Sequence, residues 1–92
     1  MLEMSWKDFG DKVKQNAVVV LPVGSTEAHG LHLPLGVDMI TAIGFGEMLA
    51  KEIGGVMAPP IVYGYKGETG GGPIYTGSLE LNATTLISLV HD

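Results

Sequence analysis

The run Ala17-Val18-Val19-Val20-Leu21 constrains the fold more than any other stretch of this chain. Three consecutive valines between apolar neighbours leave no polar face. The segment therefore reads as a strand buried on both faces, as in a parallel sheet covered by helices. Pro22 and Gly24 are expected to end it. A short helix is predicted before it, with Ser5 as cap, Asp8 three residues on, Trp6, Phe9 and Val13 at helical spacing, and Asn16 closing it. After a polar stretch from Ser25 to Gly36, Met39 to Ile53 reads as the clearest helix. Ala42, Phe45, Leu49 and Ile53 form its apolar stripe, and Gly54-Gly55 supply the stop. Gly44 and Gly46 inside it cost about 1 kcal/mol each relative to Ala, an expense that close packing against a neighbour explains.

Val56-Met57-Ala58 reads as a second strand, stopped by Pro59-Pro60. Ile61 to Gly77 is rich in Gly and Tyr, has no period and is expected to be a long loop. Leu79-Glu80-Leu81 reads as a short extended piece, and Asn82 as the cap of a helix carrying Leu86, Leu89 and Val90. Helices alternating with buried strands place the chain in the α/β class with a mostly parallel sheet. Two parallel strands rarely make a stable sheet alone. Residues 1–92 are therefore read as the N-terminal part of a single α/β domain that is incomplete in this chain.

Charge narrows the function classes. Five lysines, no arginine and ten acidic residues give a net charge of −5 over 92 residues. The lysines are scattered, so a basic stripe for nucleic acid is lacking. The absence of Cys removes disulfide frameworks, zinc ribbons and thiol nucleophiles. The longest apolar run, Ala17 to Val23, is too short to span a bilayer, and the opening Met1-Leu2-Glu3-Met4-Ser5-Trp6-Lys7-Asp8 lacks an apolar stretch of signal-peptide length. A cytoplasmic protein with neither a nucleic-acid nor a membrane partner is expected.

The stretch that carries chemistry is Gly24-Ser25-Thr26-Glu27-Ala28-His29-Gly30-Leu31-His32-Leu33-Pro34-Leu35-Gly36-Val37-Asp38. It starts at the carboxyl end of the first strand, where α/β sheets place ligands. On an extended backbone Glu27 and His29 point to the same side. Asp38, nine residues after His29, stands at the start of the long helix. Converging, the three form a ligand set for Zn²⁺ or Mn²⁺, and a carboxylate at Asp38 can bridge two ions. Each residue also has a plainer reading. Asp38 suits a helix N-cap, Glu27 a solvated loop, and His29 or His32 a hydrogen-bonded structural role.

The segment Leu21-Pro22-Val23-Gly24-Ser25-Thr26-Glu27-Ala28-His29-Gly30, with His32-Leu33-Pro34 and Asp38, resembles the signature of the creatininase (creatinine amidohydrolase) family. Tyr63-Gly64-Tyr65-Lys66, Gly70-Gly71-Gly72-Pro73 and Thr76-Gly77-Ser78-Leu79 resemble a later loop of that family, with Tyr75 standing where its members more often carry Phe-Pro before the glycine. The resemblance implies a three-layer α/β/α sandwich, commonly a hexamer, hence a homo-oligomer. It also implies two divalent metal ions, Zn and/or Mn, with Glu27 a ligand of one, His29 of the other, and Asp38 bridging both. The implied reaction is cleavage of a C–N bond in a small cyclic, creatinine-like amide by a metal-activated water.

The family's later Asn-Gly-His motif, its further His and Glu ligands and its acid–base residues have no counterpart here. No catalytic residue is assigned within the chain, and the chain alone is expected to be inactive. The alternatives are a formamide hydrolase of cofactor biosynthesis in the same family, or a non-catalytic fragment or assembly subunit. Gly67-Glu68-Thr69-Gly70-Gly71-Gly72 is also weighed as a phosphate loop, but it lacks the Lys-Ser/Thr ending and does not open a helix.

Overall fold

The computed structural model describes residues 1–65 and 75–92. Helix α1 (Trp6–Lys14) begins as its sequence predicts. The Ser5 hydroxyl accepts from the Asp8 backbone N–H at 3.2 Å and donates to the Asp8 carboxylate at 2.6 Å. That pairing satisfies one of the orphan donors of the first turn. The chain leaves the helix through Asn16 at φ 54°, a left-handed conformation that Asn tolerates better than most residues.

Strand β1 (Val19–Val20) pairs in parallel with β2 (Val56–Met57), in the register Val19 to Val56 and Val20 to Met57. Pairing runs past both proline breaks, contrary to expectation. The Pro22 carbonyl accepts from Ile61 N–H, Gly24 N–H donates to the Ile61 carbonyl, and Val23 bridges Ile61 in parallel. Proline lacks only the donor, so a register that uses its carbonyl loses nothing. A second pair, β3 (Gly64–Tyr65) with β4 (Glu80–Leu81), is also parallel. The expected loop from Ile61 to Gly77 thus opens with sheet pairing. Residues 66–74, which include the weighed phosphate loop, lie outside the described residues. The two ladders meet where Leu79 N–H donates to the Thr26 carbonyl and Gly64 N–H to the Leu79 carbonyl.

Helix α2 (Val37–Glu52) connects β1 to β2 and packs on that pair. The face it presents is not the expected stripe. Phe45 is 69% exposed, with Leu49 and Ile53 also exposed, while Gly46 and Ala50 are buried. A Cβ on Gly46 would lie 3.2 Å from Met57 Sδ and 3.3 Å from a Pro22 ring carbon, so the missing side chain sets the helix-to-sheet distance. Gly44 has open space and plays no such part. Helix α3 (Ala83–His91) follows Asn82, whose side chain makes no capping bond.

Burial is sparse. Among the described residues the buried apolar side chains are Pro22, Ala50 and Val56. Val18, Val19 and Leu21 are exposed within residues 1–92, so the strand expected to be covered on both faces is covered here on one. Helix α2 packs on β1, and among the described residues β1 has a single paired neighbour. The Cα radius of gyration is 15.9 Å, against about 12 Å for a compact domain of this length. No described helix is long and apolar enough to cross a membrane. The architecture is α/β with parallel strands.

Candidate metal centre

The loop leaving β1 is held at several points. Thr26 Oγ1 donates to the Val62 carbonyl at 2.9 Å, and Glu27 N–H donates to the Leu35 carbonyl at 2.9 Å, closing the turn between them. Gly30, at φ 75°, makes the reversal after His29 in a region that β-carbon-bearing residues disfavour. This closed loop returns the chain to α2, and Asp38 falls in the first helical turn.

The N-cap of α2 is Gly36, so Asp38 does not cap the helix. Its carboxylate instead faces back over β1. Asp38 Oδ2 accepts from Ser25 Oγ at 2.8 Å, and Asp38 Oδ1 lies 3.1 Å from His29 Nε2. Gly24 makes this approach possible. A Cβ there would stand 2.7 Å from the Asp38 carbonyl carbon and from the Met39 nitrogen. Gly64 faces the same place from β3, where a Cβ would lie 3.1 Å from Ser25 Cβ and 4.0 Å from Glu27 Oε2.

Ligand atoms of Glu27, His29 and Asp38 all lie within 4.8 Å of one another, with Glu27 exposed and the other two half-buried. His32 lies outside this cluster on the exposed turn, and His91 faces Asp92 on α3. The His29 ring is oriented by its own neighbourhood. Nδ1 lies 3.1 Å from the Glu27 carbonyl, which can only accept, so Nδ1 carries the hydrogen and Nε2 is turned to the carboxylates. Histidines that bind metals are commonly held in this way, with the second ring nitrogen donating to a carbonyl or carboxylate. Two carboxylates and an imidazole nitrogen are a donor set suited to Zn²⁺ or Mn²⁺. Among the described residues no lysine pairs with either carboxylate. A divalent cation placed there would offset the repulsion between them.

Spacing alone picked out the three ligand candidates, whereas Ser25, Gly24 and Gly64 carried no chemical signal in the sequence. Gly24 reads as a strand terminator and Ser25 as the start of the polar stretch that follows it. Small residues at the carboxyl end of a strand, immediately before the acidic and imidazole pair, are the signal that could have found Gly24 and Ser25.

A family profile described as Creatininase, creatinine amidohydrolase, matches residues 2–92. Creatinine amidohydrolase of Pseudomonas putida is 34% identical over 93 residues, which cover 98% of this chain and 36% of that protein. The mycofactocin precursor peptide peptidase of Mycolicibacterium smegmatis is 42% identical over 74 residues, covering 70% of this chain and 30% of the relative. The crystal structure of creatinine amidohydrolase superposes with a TM-score of 0.91 at 34% identity, over all of this chain and 37% of that one. A Zn–Zn type of a mutant creatininase and a Mn creatininase give the same values. The chain thus spans little more than a third of the length of the P. putida relative. With the signature stretch and the parallel β1–α2–β2 unit in the same arrangement, this chain belongs to the creatininase family.

Proposed function

We propose that this chain provides the first part of a two-metal amidohydrolase site, acting on the C–N bond of a small cyclic, creatinine-like amide. The observation that carries the reading is the convergence of Glu27, His29 and Asp38 at the carboxyl end of β1, on a chain of this family. In this reading Glu27 would hold one divalent ion, His29 the other, and Asp38 both. Such ions supply Lewis acidity toward an amide carbonyl and activate water at neutral pH. The chain's own contribution is to position ligands. The Glu27 carbonyl fixes the tautomer of His29, and the first turn of α2 presents Asp38 over the strand end.

Zn²⁺ and Mn²⁺ are the ions that fit, given the donor set and the Zn–Zn and Mn forms of the creatininases it resembles. The cyclic amide follows from the likeness of residues 63–79 to creatininase, and a peptide-derived amide is the competing substrate, given the M. smegmatis relative. We further propose that residues 1–92 form one incomplete domain, whose remaining ligands and proton donor come from additional protein. The open shape and the exposure of Phe45, Leu49 and Val19 support this. A homo-oligomer is part of the same reading.

The test is elemental analysis of the purified, desalted chain. About two equivalents of Zn or Mn per chain are expected if partner segments or copies complete the shell, and one weakly held equivalent if they do not. A preparation that takes up no divalent metal after incubation and desalting would sink the proposal.

A further inference from the structure

The Ser25 hydroxyl is the one side chain that donates a hydrogen bond to the Asp38 carboxylate among the described residues, while His29 turns its Nε2 toward the other oxygen. Ser25 sits where the β1 strand ends, pinned on one side by Gly24 N–H donating to the Ile61 carbonyl and on the next by Thr26 pairing with Leu79. Its Cβ is faced closely by Gly64 of β3, where an added carbon would stand 3.1 Å away. The hydroxyl therefore projects from a rigid point, and its 2.8 Å bond to Oδ2 is partly buried. Asp38, by contrast, belongs to the first turn of α2, and its carboxylate has a free χ2 torsion that helix geometry does not fix.

We infer that Ser25 is a positioning residue for the bridging carboxylate. The bond to Oδ2 sets the plane of the carboxylate so that Oδ1 is presented to the His29 side and Oδ2 to the other. An oxygen of a carboxylate has two lone-pair directions. Oδ2 can therefore keep the serine bond and still offer a ligand direction. Replacing the hydroxyl by hydrogen frees the carboxylate to rotate, and the binding energy of the ions then has to order it. This rests on the two-metal reading above. Groups that orient metal ligands typically contribute 10–100-fold in metal affinity.

The experiment uses Co²⁺ as the probe, because its visible absorption band reports coordination geometry as well as occupancy. Metal-stripped wild type, Ser25→Ala and Asp38→Asn are titrated with Co²⁺ against a chromophoric chelator, with far-UV circular dichroism and thermal melting run alongside. Ser25→Ala removes one oxygen and introduces no clash. Its affinity is expected to fall about 10–100-fold, with an altered band and an unchanged melting temperature of the metal-free protein. Wild-type affinity and an unaltered band in Ser25→Ala, while Asp38→Asn loses the metal, would overturn the role of Ser25 and leave the two-metal reading standing. Weaker binding with an unaltered band and a lowered metal-free melting temperature would also overturn it, because Ser25 would then act through folding. Failure of the wild type itself to bind Co²⁺ would overturn both.

Discussion

Gly24→Ala tests whether the approach of α2 to the strand end builds the site. The added Cβ would stand 2.7 Å from the Asp38 carbonyl carbon, 2.7 Å from the Met39 nitrogen and 2.8 Å from the Asp38 carbonyl oxygen. Ordinary carbon contacts are about 3.5–4.0 Å, so relief requires a movement of about 0.8 Å or more. All three obstructing atoms are backbone, and no rotamer change removes them. The first turn of α2 has to retreat from β1, at a cost of about 1–3 kcal/mol in stability. The retreat carries the Asp38 carboxylate away from Ser25 Oγ and His29 Nε2. Metal sites hold their ligand distances to within about 0.2 Å, so a shift of this size costs at least about tenfold in affinity. Urea unfolding midpoints and Zn²⁺ competition against a chelator read the two effects. Gly44→Ala is the control, since a Cβ there meets nothing within 4 Å. It is expected to gain about 0.5–1 kcal/mol and bind Zn²⁺ as the wild type does. A Gly24→Ala protein that unfolds at the wild-type urea concentration and binds Zn²⁺ equally well would refute the reasoning.

Asp38→Ala is expected to abolish binding of both ions, and Glu27→Ala to weaken one more than the other, as read by metal equivalents per chain; unchanged content in Asp38→Ala removes the bridging role. Zn²⁺ at about 100 times its Kd is expected to stabilise the chain by about 2.7 kcal/mol, visible as a rise in Tm that a chelator reverses. Ser5→Ala is expected to cost about 1 kcal/mol through loss of the α1 cap while leaving metal affinity unaltered, a separation that urea unfolding and metal titration together resolve.

Much of the local structure was legible because local chemistry decides it. Ser5 and Asp8 announce the start of α1, and the valine run and Val56-Met57 announce β1 and β2. The pairing of Glu27 and His29 with Asp38 was legible as spacing, because an alternating backbone and a helix start leave few other arrangements. The β3 strand was not legible. Gly64-Tyr65 has no apolar period, and its pairing with Glu80-Leu81 depends on a segment distant in sequence. The face of α2 was misread because hydrophobicity ranks Phe45 and Leu49 above Gly46 and Ala50, whereas close approach to Met57 and Pro22 favours the smaller side chains. Continuation of the sheet past Pro22 escaped for a similar reason, since the residue type announces a missing donor and says nothing of its carbonyl.

The return turn between Glu27 and Leu35 has a consequence for the order in which this protein comes together. Every candidate ligand lies between Glu27 and Asp38, within one short excursion of the backbone. Loops of about ten residues close in about 10–100 ns. The pairings of Val19 with Val56 and of Thr26 with Leu79 join far more distant segments and carry a larger closure entropy. The ion-binding stretch is therefore able to order before the sheet exists. If Glu27, His29 and Asp38 hold a metal as proposed, a divalent cation present during synthesis would meet these ligands while the chain behind them is still emerging.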